Sequence, residues 1–204
     1  MTTDRTTKAL LGIIVFLSLW SPQAGLALQA GGSVCLPSAL EVCRVQGEAG
    51  DLVAQIVLGY AYANGRGVVE DDAEAVRWYR IAAEQGNAVA QNNLGLMYEN
   101  GEGVPEDDAE AVRWYRLAAE QGNDSAQFNL GLIYENGEGV VQNDARAYLW
   151  FNLAAAGSQG DDRAQAVENR DRAAAKLSPA DRAAAQRLAT QCQASAFKDC
   201  GEPQ

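Results

Sequence analysis

The 204-residue chain contains no histidine. That absence removes the Ser-His-Asp and Cys-His nucleophile systems, H-E-x-x-H metal sites and Cys/His zinc fingers. Basic charge is scarce too. Sixteen lysines and arginines face 27 aspartates and glutamates, giving a net charge of −11 and a pI near 4.4. Nucleic acid needs a basic footprint, so that role is excluded, and an anionic membrane surface is disfavoured for the same reason. A surface this acidic keeps a protein soluble, and it suits a neutral or basic partner. Cysteine is missing from the whole middle of the chain, and only Cys35, Cys43, Cys192 and Cys200 are present. None of them forms the C-x-x-C of a thioredoxin-type redox site.

Long apolar runs are lacking with one exception, Ala9 to Trp20 near the N-terminus. Its length of about a dozen residues is too short to span a bilayer core. Arg5 and Lys8 precede it, Ser21-Pro22 breaks it, and small residues follow at Ala24, Gly25, Ala27 and Ala30. This is the pattern of a secretory signal over residues 1–30, cleaved after Ala27 or, preferably, Ala30. An uncleaved N-terminal anchor is the alternative. Gly32-Ser33-Val34-Cys35 matches a lipoprotein box poorly, so no lipid anchor is expected. Losing Asp4, Arg5 and Lys8 makes the remaining chain one unit more negative. The expected destination is the periplasm, with the extracellular space as the alternative, and no membrane insertion after cleavage.

What the chain has in abundance is itself. Over residues 50–157 one 36-residue unit is written three times, at 50–85, 86–121 and 122–157. Sliding by 36 superimposes Leu58, Leu94 and Leu130; Gly59, Gly95 and Gly131; Tyr62, Tyr98 and Tyr134; and Trp78, Trp114 and Trp150. A fixed period of this size marks a solenoid of stacked units. A solenoid keeps its ends apart, and disulfides need close Cα atoms. Of the three pairings four cysteines allow, Cys35–Cys43 and Cys192–Cys200 are therefore expected, in an oxidising compartment. Each closes a small loop worth about 2–3 kcal/mol in the chain-entropy model and pins a frayed end.

Each unit reads as helix, turn, helix. Ala54, Leu58 and Tyr62 recur at i, i+4 and i+8, on one stripe of the first helix. Gly59 beside them costs roughly 1 kcal/mol against alanine in a helix, so its return suggests a close crossing. Asn64-Gly65 ends that helix, and Gly65-Arg66-Gly67-Val68 turns the chain. A lone G-x-G followed by acids is a turn and not a phosphate loop. Asp71 with Glu74 opens the second helix as an acidic capping box, repeated at Asp107 and Glu110. Capping and the helix dipole also account for Asp71-Asp72 and Asp107-Asp108, which might otherwise be cast as glycosidase acids. Ala75, Trp78 and Ala82 form the buried stripe of the second helix, and Gly86 stops it. The tryptophans are expected in the core; the neighbouring Tyr79, Tyr115 and Phe151 are left open between core and surface.

The pattern A-x-x-x-LG-x-x-Y-x-x-G-x-GV-x(4)-D-x-x-A-x-x-W-x-x-x-AA resembles the Sel1-like repeat family, relatives of tetratricopeptide arrays. The expected fold is all-α, a right-handed α/α solenoid of helix-turn-helix repeats of 36 residues. Residues 31–49 are expected as an N-terminal cap with a disulfide, 158–192 as C-terminal capping helices and 193–204 as a tail with a disulfide. Solenoid ends need such caps because their outer faces have no neighbour.

The resemblance implies a non-catalytic, exported adaptor or scaffold that binds a protein or peptide, with no cofactor, no metal and no catalytic residue. Three units with caps suffice for a monomer. Positions that vary among the repeats are free to specify a partner, and those on the first helices name Tyr60, Asn92, Leu96, Glu99, Phe128, Leu132 and Glu135 as candidate partner-binding residues. Tyr60, Leu96 and Leu132 can equally be core between repeats. The rival class is a β-lactam- or cell-wall-related hydrolase or binding protein. The cysteine-rich relatives linked to that activity carry cysteine pairs within their units, which this chain lacks.

Overall fold

The computed structural model describes residues 40–197 and Cys200. The expected signal segment, Cys35 and the final residues 201–204 lie outside them. Among the described residues there are nine α-helices and no strand. They are α1 (Leu40–Glu48), α2 (Leu52–Asn64), α3 (Asp72–Glu84), α4 (Ala88–Asn100), α5 (Asp108–Ala119), α6 (Asp124–Asn136), α7 (Asp144–Gly157), α8 (Gly160–Ala175) and α9 (Pro179–Ala194). Each helix packs on the next from α1 to α8, and α9 packs on α7. The result is an all-α solenoid, with α2/α3, α4/α5 and α6/α7 as its repeated pairs.

Capping residues set the helix starts. Asp51, Asn87 and Asn123 accept from the amides of Ala54, Ala90 and Ala126 at 2.8, 3.0 and 2.8 Å. Asp71 and Asp107 accept likewise from Glu74 and Glu110, both at 3.0 Å. The capping box is only half formed, however. The backbone amide of Asp71 donates to Tyr62 O, and that of Asp107 to Tyr98 O. With that donor used, the Glu74 and Glu110 carboxylates turn instead to Arg77 and Arg113 one turn on.

The core follows the repeat. Leu58, Leu94 and Leu130 are sealed, as are Ala75, Ala111 and Ala147, and burying each leucine is worth about 1.5–3 kcal/mol. Trp78, Trp114 and Trp150 are buried, and so are Tyr79, Tyr115 and Phe151, which resolves the second aromatic of each pair as interior. The turns carry contacts between units as well. A Cβ at Gly103 would meet the Asp72 carbonyl oxygen of the preceding unit at 2.3 Å, so only glycine lets this loop close.

Candidate partner-binding face

The first helices α2, α4 and α6 each place one variable position halfway out of the core: Tyr60, Leu96 and Leu132, all half-buried. Between them they form a row that crosses the three repeats at the same register. Glu99 is half-buried near the end of α4, where its Oε2 accepts a hydrogen bond from the Tyr115 hydroxyl at 2.5 Å. Burial, with the Glu99 carboxylate next, pushes the Tyr115 phenol well above its ordinary range.

The other three sequence candidates sit elsewhere. Asn92, Phe128 and Glu135 are only 6%, 7% and 9% exposed. Phe128 stacks at a tilt on Phe151, with ring centroids 5.5 Å apart. Asn92 Oδ1 accepts from Asn129 Nδ2 of the next first helix at 3.2 Å. Glu135 is held by α8: Arg172 donates through Nε at 2.9 Å and Nη2 at 2.5 Å, and Lys176 Nζ lies 3.1 Å away. The Arg172 hydrogen bond holds the Glu135 carboxyl below the ordinary range, against the opposing effect of burial. Variation among repeats therefore marks two different things. At Leu96 it marks accessible surface; at Phe128 and Glu135 it marks the last unit adapting to its closing helices.

A polar system absent from the sequence reading runs along the repeats. Gln55, Gln91 and Gln127 are buried on the first helices and donate to the carbonyls of Gly47, Ala83 and Ala119 at 2.9, 3.1 and 3.2 Å. Gln85 and Gln121 donate in turn to Gln55 and Gln91 at 2.9 and 2.7 Å. Arg80 and Arg116 reach the Tyr98 and Tyr134 hydroxyls of the following unit at 2.8 and 3.3 Å. The signal was present: a glutamine returning every 36 residues inside an apolar stripe demands a fixed partner.

Ser195-Ala196-Phe197-Lys198 has the S-x-x-K spacing used by serine enzymes acting on β-lactams. Here Ser195 caps the C-terminus of α9 and its hydroxyl donates to the Cys192 carbonyl at 2.9 Å. The helix dipole at that end disfavours a developing anion, and Lys198 lies outside the described residues. Among the described residues no group of three His, Cys, Asp or Glu side chains is placed to hold a metal ion, and no helix is long and apolar enough to cross a membrane. Cys192 is joined to Cys200, with Cα atoms 4.6 Å apart. Cys43 is also disulfide-bonded.

Repeated helix pairs stacked through alanine, tryptophan and glycine define this as a short helical-repeat protein. The Sel1 repeat model matches residues 52–87, 88–123 and 124–158, and the chain belongs to that family. These bounds start two residues after those read from the sequence, a difference of phase within the same period. A protective antigen present in uropathogenic Escherichia coli strains, displaying an SLR fold, is similar at 34% identity and a TM-score of 0.69. The match covers 81% of this chain and 36% of that one, so this chain spans about a third of that relative's length. A Sel1 repeat protein from Oxalobacter formigenes is similar at 37% identity and a TM-score of 0.56, over 64% of this chain and 98% of that one. No curated protein matches. Proteins built of Sel1 repeats generally mediate protein–protein interactions, and the fold is typically a non-catalytic scaffold.

Proposed function

We propose that this chain is a non-catalytic exported adaptor that docks a neutral or basic protein segment on its first helices, with Tyr60, Leu96, Glu99 and Leu132 making the contacts. The observation that carries this reading is the half-buried row Tyr60, Leu96 and Leu132. The row reads tyrosine in the first unit and leucine in the other two, while the stripe beneath it, Leu58, Leu94 and Leu130, is invariant and sealed. An aromatic and two leucines in line supply apolar anchors, and Glu99 supplies one anionic contact for a cation on the partner. The disulfides and the leader-like N-terminus support export to the periplasm.

The test is a crosslinked pulldown from the native cells, comparing the wild-type chain with Leu96→Glu/Leu132→Glu. A single enriched protein lost in the double variant supports the adaptor. Retention of cell-wall fragments, or turnover of a chromogenic β-lactam by the purified chain, overturns it.

A further inference from the structure

The closing helix α9 stops in a different way from the second helices of the repeats. After α3 the Asn87 amide donates to Ala82 O and the Gly86 amide to Ala83 O; after α5, Asn123 and Gly122 repeat the pair on Ala118 and Ala119. These are Schellman caps, and the residue at the left-handed corner is glycine, Gly86 or Gly122. The end of α9 forms the same two bonds, Phe197 N to Cys192 O at 2.8 Å and Ala196 N to Gln193 O at 3.1 Å. Its corner residue, however, is Ala196 at φ 51°, followed by Phe197 at φ 65°. Two successive L residues in the left-handed region are unfavourable, so something beyond the cap must hold them there.

Two contacts do so. Cys192, whose carbonyl accepts the cap bond from the Phe197 amide, is disulfide-bonded to Cys200, closing a covalent ring around the corner. The Phe197 ring lies on Gly122, close enough that a Cβ there would sit 2.8 Å from its Cε2. The equivalent turn glycines Gly50 and Gly86 have no such neighbour among the described residues. The tail thus folds back from α9 onto the turn that opens the third repeat.

We propose that the Cys192–Cys200 disulfide is a redox-operated latch that keeps Phe197 seated on Gly122. Its opening is a thiol–disulfide exchange with a dithiol reductant. Cys192 is sealed and Cys200 is 6% exposed, so attack follows local fraying of the tail. A reductant thiolate attacks the Cys200 sulfur, Cys192 leaves as a thiolate and takes a proton, and the second reductant thiol resolves the mixed disulfide. The products are two cysteine thiols and the oxidised reductant. The closing helices also pack on α7 and reach the third repeat through Arg172 and Lys176 on Glu135, Lys176 on Asp144, and Gln186 on the Tyr148 hydroxyl at 2.6 Å. None of these contacts includes the disulfide, so reduction releases the tail locally and leaves α8 and the body of α9 in place.

Amide hydrogen exchange on the purified chain tests this. Dithiothreitol should speed exchange at Gly122, Asn123 and residues 195–197 by about tenfold or more, with α4 to α7 unchanged. Cys192→Ser/Cys200→Ser should reproduce that pattern without reductant, which separates this disulfide from the one at Cys43. Phe197→Ala should expose Gly122 and Asn123 while Cys192 and Cys200 stay oxidised. Wild-type protection at Gly122 and Asn123 in either variant overturns the latch. So does a loss of protection spread evenly through α2 to α7, because the disulfide would then support global stability only.

Discussion

The ring of Tyr115 rests on the bare Cα of Gly95. A Cβ built there would lie 2.8 Å from both Cδ1 and Cε1 of the tyrosine. Gly59 stands in the same relation to Tyr79, and Gly131 to Phe151, at 2.6 and 2.5 Å. This contact sets how closely the two helices of each unit cross.

Gly95→Ala follows directly from it. Helix propensity favours the alanine by roughly 1 kcal/mol, whereas overpacking against a sealed aromatic costs about 1–3 kcal/mol. Tyr115 is fully buried and cannot swing away, so the clash wins. Thermal unfolding should show a lower midpoint for Gly95→Ala, and a stabilised variant would refute the close crossing.

The glutamine system makes a second prediction. Gln91→Leu removes one of the two donors to Ala83 O, which keeps the Gly86 amide, and takes from Gln121 its acceptor across the units while leaving it Leu117 O. The cost is that of the lost buried hydrogen bonds, about 0.5–1.5 kcal/mol each. Gln121→Ala, at an exposed position, should cost well under half as much. Urea unfolding of the two variants side by side checks the ranking.

Glu135 should make the third repeat acid-sensitive. Its folded carboxyl is held below the ordinary carboxylate range, chiefly by Arg172. Stability from this group is therefore fully present above the unfolded pKa and is lost as pH falls through the lowered folded value. Glu135→Gln should be less stable than wild type at neutral pH, and the two should converge in acid. Unfolding midpoints across pH 3 to 7 would show a constant gap if the ion pair were idle.

Core and surface among the candidate positions can be separated by stability alone. Phe128→Ala should cost about 3–5 kcal/mol, because it empties the space against Phe151. Leu96→Ser, half-buried on the exposed row, should cost about 1 kcal/mol or less. Equal losses in the two variants would place Leu96 in the core and remove it from the partner-binding face.

Much of the fold was legible because the chain repeats itself. A position identical in three units, such as Leu58, Leu94 and Leu130, has the same neighbours three times, so one local reading serves for all. Capping aspartates, turn glycines and the buried tryptophans follow from local chemistry in the same way. The sequence by itself thus determined the period, the helix pairs, the stripe each helix buries and the crossing at Gly95.

The tertiary structure alone decided where the repeat stops being a guide. Glu99 and Glu135 occupy equivalent positions, yet one meets the hydroxyl of Tyr115 and the other Arg172 and Lys176. Gly86 and Gly122 are equivalent too, and only Gly122 receives the ring of Phe197. A periodic sequence describes the neighbours within the array. At its end the neighbours come from non-repeating helices, and their contacts depend on where packing brings distant residues together.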